Sequence, residues 1–214
     1  MAHPIYKLAD GTRVPSVTTC LHSWLPGGPD ALMGWAVKMG QEGKDFREER
    51  DRAAGAGTLA HAAMEAWAQG QEPVWEGPVW LVSKAQRCFG AFLEWAEQTK
   101  FRVTHTETSL VSEVHRFGGT LDAAMMNNRR VLADYKTSNS IRAQYLAQVG
   151  GYGILWDEHF PADPLDGGYL ILRFDREFGD FSHRWFPELE AGRKAFLLCR
   201  QLYEFEKELS KRAK

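Results

Sequence analysis

Cysteine is scarce in this chain. Only Cys20, Cys88 and Cys199 occur among 214 residues. They are odd in number and far apart, and none forms a Cys-x-x-Cys pair. That pattern argues against a disulfide framework and against a structural zinc site. It leaves no set of four cysteines for an iron–sulfur cluster within one chain. Apolar surroundings such as Phe196-Leu197-Leu198-Cys199 predict buried, reduced thiols. An excess of basic charge is lacking too: 26 Lys and Arg stand against 28 Asp and Glu, for a formal net charge of −2. No global positive field draws the protein onto nucleic acid. Such contact has to run through a local basic groove or through metal ions bridging to phosphate. No long apolar run and no signal-peptide pattern is visible. No membrane partner is therefore expected, and the expected location is cytoplasmic. No internal repeat or low-complexity stretch occurs.

What is present reads as one globular domain. Hydrophobic residues at 44% and charged residues at 25% are ordinary for a folded soluble chain, and the length suits a single domain with a real core. Ile5 to Val14 predicts a small hairpin about Asp10-Gly11, and Ser16 predicts a helix cap. A break at Pro26 to Asp30 precedes a helix carrying Leu32, Trp35 and Met39. Glu42 to Arg52 predicts an exposed charged helix, Leu59 to Gln69 another helix, and Pro78 to Thr99 a long amphipathic one. The pattern then changes to strands over residues 101–113, 116–126 and 130–137. A helix over Ile141 to His159 follows, then strands over 165–174 and 180–186 about a turn at Glu177-Phe178-Gly179. A closing helix spans Pro187 to Lys211, with apolar Leu189, Phe196, Leu202, Phe205 and Leu209. The order predicts an α/β (α+β) fold, a small mixed sheet flanked by helices. Residues 1–100 form a mainly helical N-terminal part and 101–214 the core.

The chemistry concentrates in Gly119-Thr120-Leu121-Asp122 and Val131-Leu132-Ala133-Asp134-Tyr135-Lys136. Polar Asn127, Asn128, Arg129 and Arg130 predict a hairpin tip between them, which folds Asp122 back near Asp134. Lys136 follows Asp134 by two residues and points to the same side of a strand. Two carboxylates suit a hard divalent cation, and a lysine beside them positions or activates a water. Asp-x-Lys alone is a common solvated strand pattern. Here the acid enters the apolar end of a strand.

Other candidates surround this pair. His61 and Glu65 stand one helical turn apart, after Gly55-x-Gly57. They complete a metal site or contact phosphate, or they form a plain surface pair. Gln148 and Tyr152 are likewise i and i+4. They fix the lysine or a phosphate, or they fill a helix–sheet seam. Glu107 is an outer metal residue or a solvent-facing strand residue. Ser138, Ser140 and Arg142 follow the lysine and suit phosphate contact. Trp75, in a loop, is the best of several tryptophans for stacking on a base, although most tryptophans serve a core. Gly150-Gly151-Tyr152-Gly153 costs about 1 kcal/mol per glycine in a helix, which predicts a close backbone approach to the sheet or to DNA.

Taken together, His61, Gly119-Thr-Leu-Asp122, Asp134-Tyr-Lys136 and Gln148-Val-Gly-Gly-Tyr152 resemble the RecB-like exonuclease branch of the PD-(D/E)XK nuclease superfamily, in the family's order. Pro15-Ser-Val-Thr18 with Trp35 is similar to phage-type stand-alone exonucleases and to the mitochondrial genome maintenance exonuclease. The resemblance implies a restriction-endonuclease-like core over roughly residues 14 to 186. It implies Mg²⁺ or Mn²⁺ held by Asp122, Asp134, the Tyr135 carbonyl and His61. It implies Asp122, Asp134, Lys136, Gln148 and Tyr152 as the catalytic set, and Glu65 and Glu107 are candidates for a place behind them. The cysteine count separates this chain from relatives that carry an iron–sulfur cluster. The implied function is a metal-dependent DNA exonuclease of recombination, repair or replication, in a bacterial or phage-infected cell. The implied partner is DNA with single-stranded character, with a single-strand annealing protein and homo-oligomer formation as further expectations. A non-catalytic nucleic-acid-binding protein on the same fold is the alternative. A hydrolase of small phosphoesters ranks lower, because no tight phosphate loop is visible.

Overall fold

Alternating Thr, Val and charged residues after Phe101 give way to the strands they predict. In the computed structural model the described residues are 4–24, 28–46, 48, 59–60, 62–138, 140–174 and 180–213. The N-terminal hairpin pairs β1 (Tyr6–Lys7) with β2 (Arg13–Val14). Gly11 takes φ +83° at its turn, a conformation glycine adopts without strain. Ser16 caps α1 (Val17–Cys20), its Oγ accepting from the Thr19 amide at 3.0 Å. A 3₁₀ turn, Leu21–Ser23, follows. Helix α2 (Gly28–Gln41) ends in a turn at Glu42-Gly43, with Gly43 at φ +70°. The predicted charged helix from Glu42 therefore does not begin there, and most of its remainder lies outside the described residues. Residues 59–60 and 62–68 are helical, as expected. His61 itself, with Gly55 and Gly57, lies outside the described residues, as does the turn at Glu177 to Gly179.

The rest follows the predicted order with small shifts at the ends. It comprises α3 (Val79–Gln98), β3 (Arg102–Ser112), β4 (Phe117–Met126), β5 (Arg129–Thr137), α4 (Ala143–His159), β6 (Gly168–Phe174), β7 (Phe181–Phe186) and α5 (Glu190–Arg212). The five strands form one mixed sheet in the order β3-β4-β5-β6-β7, with β5 and β6 parallel and the other pairs antiparallel. Parallel neighbours need a crossover, and α4 supplies it. Asn127 (φ 49°) and Asn128 (φ 62°) join β4 to β5. Two positive φ values in a two-residue loop make the primed turn that matches strand twist, and asparagine tolerates that region.

Each face of the sheet carries its own core. One face packs Phe117, Leu121, Leu132 and Ile171 against Leu155 and Trp156 of α4 and Phe196 of α5. The other packs Ala124, Val131, Ala133, Leu170, Leu172 and Phe174 against α3 and the helical stretch 62–68, with Phe92 at the centre. The three cysteines are buried and form no disulfide.

The glycines of α4 meet both the sheet and a helix. A Cβ on Gly153 would lie 2.6 Å from the Tyr169 hydroxyl of β6, the expected approach to the sheet. A Cβ on Gly150 would lie 2.5 Å from the Gly192 carbonyl carbon and the Arg193 nitrogen of α5, and one on Gly151 would lie 2.9 Å from the Phe196 ring. Bare backbone at Gly150 and Gly192 is what brings the two helices so close. Helix α5 buries Gly192, Phe196, Cys199 and Arg200, while its other apolar residues Leu202, Phe205 and Leu209 are exposed. Among the described residues no helix is long and apolar enough to cross a membrane.

Candidate active site

Strand β5 enters the protein apolar end first, which carries Asp134 into the interior, where it is 8% exposed. A carboxylate so placed needs a partner, and Lys136 is that partner. Its Nζ donates to Asp134 Oδ1 at 2.8 Å and lies 2.6 Å from Oδ2. The contact to Oδ2 is a charge contact without hydrogen-bond alignment. Oδ2 is buried and accepts no hydrogen bond. Above the pair, the ammonium sits 5.2 Å from the centre of the Tyr145 ring.

Helix α4 brings Gln148 and Tyr152 to the same region. Gln148 Nε2 donates to the Tyr152 hydroxyl at 2.9 Å. Burial raises the phenol's pKa, the Asp134 charge raises it further, and Asp122 adds a smaller push. Tyr152 is therefore a neutral phenol. Having accepted from Gln148, it keeps its own proton to donate. Gly119 makes room for it: a Cβ there would stand 2.8 Å from Tyr152 Cε1. The glycine of one motif and the tyrosine of another are thus a single steric fit.

Asp122 sits on β4, opposite Ala133 rather than Asp134. Side chains alternate between faces. Asp122 consequently shares the face of Ala133 and Tyr135, while Asp134 and Lys136 share the face of Leu132. The hairpin makes the two acids near neighbours across the strands, offset by one residue. Asp122 Oδ1 accepts from the Glu107 amide at 2.8 Å. Glu107 takes φ 46° where the β3–β4 register shifts between His105 and Thr108. Such a bulge re-aims the backbone, so Glu107 reaches the acid through its N–H. Asp122 also lines a cavity of about 10 Å³, the size of one water, with Glu65, Met64, Thr106 and Tyr135. Glu65 is thereby brought to Asp122. Burial raises the Tyr135 phenol well above its usual range, and Asp122 and then Asp134 add to that shift.

The remaining candidates stand apart. Ser138 is buried, and its hydroxyl donates to the Ser140 carbonyl at 2.8 Å while its own carbonyl accepts from Arg173 at 3.1 Å. It shapes the loop after β5. Ser140 and Arg142 are exposed at the entry to α4. Trp75 is half-buried with its ring 5.9 Å from Phe89, edge to face, which is a packing role. A hydroxyl chain escaped the sequence reading. Tyr6 Oη bonds Thr120 Oγ1 at 2.8 Å, and Thr120 bonds Ser109 Oγ at 2.9 Å. Thr120 lies two residues from Asp122, on its face. The Tyr6 ring occupies the space a Cβ on Gly118 would take, so the paired glycines were the one signal of a close approach.

Among the described residues no group of three or more His, Cys, Asp or Glu side chains is arranged to hold a metal. The donor chemistry nevertheless suits a hard cation. Asp122, Asp134 and the Tyr135 carbonyl all offer oxygen. The Lys136 ammonium, 2.6 Å from Asp134 Oδ2, already neutralises this buried oxygen, so a cation there would share it with the lysine.

No family model and no curated protein matches the chain. Among solved structures, LHK-Exo in complex with dAMP is similar at a TM-score of 0.38 and 13% identity, covering 75% of this chain and 88% of that one. At that level of similarity, function has to be argued from the site itself.

Proposed function

We propose that this protein is a metal-dependent DNA exonuclease of the PD-(D/E)XK type, RecB-like branch, hydrolysing phosphodiester bonds from DNA ends with Mg²⁺ or Mn²⁺. The observation that carries the reading is the buried Asp134 ion-paired with Lys136, whose Nζ lies 2.8 Å from Oδ1 and 2.6 Å from Oδ2. Asp122, Asp134 and the Tyr135 carbonyl, with His61, are the residues that would hold the cation. A bound divalent cation supplies an activated water and stabilises the leaving oxyanion. Lys136 places a fixed positive charge beside that water and offsets charge developing on phosphorus. The Tyr152 hydroxyl, oriented by Gln148, donates to a phosphate oxygen. Ser140 and Arg142 receive the DNA backbone at the entry to α4. DNA with single-stranded character at its end is the proposed substrate, and a single-strand annealing protein is the proposed companion.

The test is digestion of end-labelled linear DNA, single- and double-stranded, with circular controls. It is run with Mg²⁺, Mn²⁺ or EDTA, beside Lys136→Ala. Metal-dependent loss of linear but not circular DNA, abolished in the variant while DNA binding persists, is expected. Equal cleavage by the variant would remove Lys136 from the mechanism. The one-residue offset between Asp122 and Asp134 favours a second reading, a non-catalytic DNA-binding protein on this fold. Calorimetric titration separates the two: that reading requires DNA binding with no Mn²⁺ binding and no cleavage.

A further inference from the structure

Helix α5 carries an apolar stripe that the protomer does not cover. Leu198, Leu202, Phe205 and Leu209 are 65%, 50%, 60% and 64% exposed. Their spacing of four, three and four residues is a heptad seam, opposite the face that Phe196 and Cys199 bury. Four large apolar side chains in one row form a contiguous patch of the kind that marks an interaction site. The C-terminal half of the helix also lacks support. Residues 204–213 are all exposed, and a helical segment that short is marginal without packing.

From this we infer that α5 pairs antiparallel with α5 of a second copy of the chain, across a twofold axis near Gln201. The stripe is self-complementary in that register. Leu198 meets the partner's Leu202, and Phe205 meets the partner's Ala195. Leu209 meets the partner's Ala191. Each large residue of the outer layers thus faces a small one. The charges beside the stripe agree, since Lys194 faces the partner's Glu208 and the twofold axis repeats the contact. Within one helix these residues pair at the surface, Lys194 with Glu190 at 3.3 Å and Glu208 with Arg212 at 2.6 Å. Pairing across the axis exchanges these contacts within one helix for Lys194–Glu208 contacts between the two. A twofold contact uses the same patch on both subunits. A membrane surface or DNA fits less well, because Glu204, Glu206 and Glu208 offset Lys207, Lys211 and Arg212 on the exposed half of the helix.

Sedimentation equilibrium of the whole protein tests this. Twice the 24.2 kDa chain mass is expected for the native chain and the single mass for Phe205→Glu, with unchanged circular dichroism in both. Lys194→Glu weakens association about fivefold, as expected for losing exposed ion pairs. Lys194→Glu with Glu208→Lys restores it. Gln201→Cys places two thiols at the axis, where a short bismaleimide joins them. The native chain, whose cysteines are buried, is not joined. A monomeric native chain overturns the inference, as does a dimer that survives Phe205→Glu or a Gln201→Cys dimer that does not cross-link.

Discussion

The two faces of the central sheet are built by different means. The face under α3 is filled by rings. Phe92 touches Trp67 edge-on at 5.1 Å, Phe101 at 6.0 Å, Phe181 at 5.9 Å and Tyr135 at 6.5 Å. The face under α4 also holds rings, Phe117 against Phe196 at 4.6 Å, but glycines set the spacing of its helices. Gly150 and Gly192 let two helix backbones touch, and Gly119 admits Tyr152. Rings hold a wall by buried area, with many neighbours sharing each contact. Glycine contacts hold a distance, and distance is what a polar site needs. The site straddles this difference: Asp134, Lys136 and Tyr152 belong to the glycine-built side, and Asp122 and Tyr135 face the aromatic side.

The sharpest break is chemical. Lys136→Ala is expected to lower metal-dependent cleavage on the order of a thousandfold, measured on end-labelled DNA, with binding retained in gel-shift assays. On the aromatic side, Phe92→Ala should cost about 3–5 kcal/mol in denaturant unfolding. Its effect on cleavage per folded molecule should be smaller than its effect on stability, because its contact with the site is the edge of the Tyr135 ring, 6.5 Å centre to centre. On the glycine side, Gly150→Ala should cost about 1–3 kcal/mol, yet lower cleavage markedly, because a shifted α4 carries Gln148 and Tyr152 away. If both variants lost activity only in proportion to stability, the two faces would be equivalent and the comparison would fail.

The smallest effect is one of pH. His105 packs edge-on against Trp156 at 5.0 Å and near Phe160 at 5.4 Å. Burial, and then the Arg130 charge, lower its pKa from 6.5. The folded protein therefore binds this proton less readily than the unfolded chain does. The stability this contributes is complete above the unfolded value and falls as pH drops through the folded one. Thermal melts should show stability falling as pH drops through that window. In His105→Phe the loss should be flattened.

Much of the fold was legible because it is local. The order of strands and helices follows from periods of 2 and 3.6. The Asn127-Asn128 turn is written in residues that tolerate positive φ. The pairing of Lys136 with Asp134 follows from a spacing of two along a strand. Other roles are set by contacts that periodicity does not show. The Glu107 side chain is exposed, one of its two expected places, while a bulge aims its amide at Asp122. Trp75 looked free to stack in its loop until Phe89 covered its edge. Ser138 looked like a phosphate donor, and its hydroxyl closes its own loop.

By itself, then, the sequence determined the elements, the tight hairpin and the acid–lysine pair, since each depends on neighbours only a few residues apart. Tertiary structure alone decided that Asp122 lies opposite Ala133, because register comes from the whole ladder of paired residues and turn geometry. It also decided which stripe of α5 is buried. Phe196 and Phe205 fit the same helical period, and only the surface α4 offers, through Gly150 and Gly151, selects the first for the core and leaves the second in water.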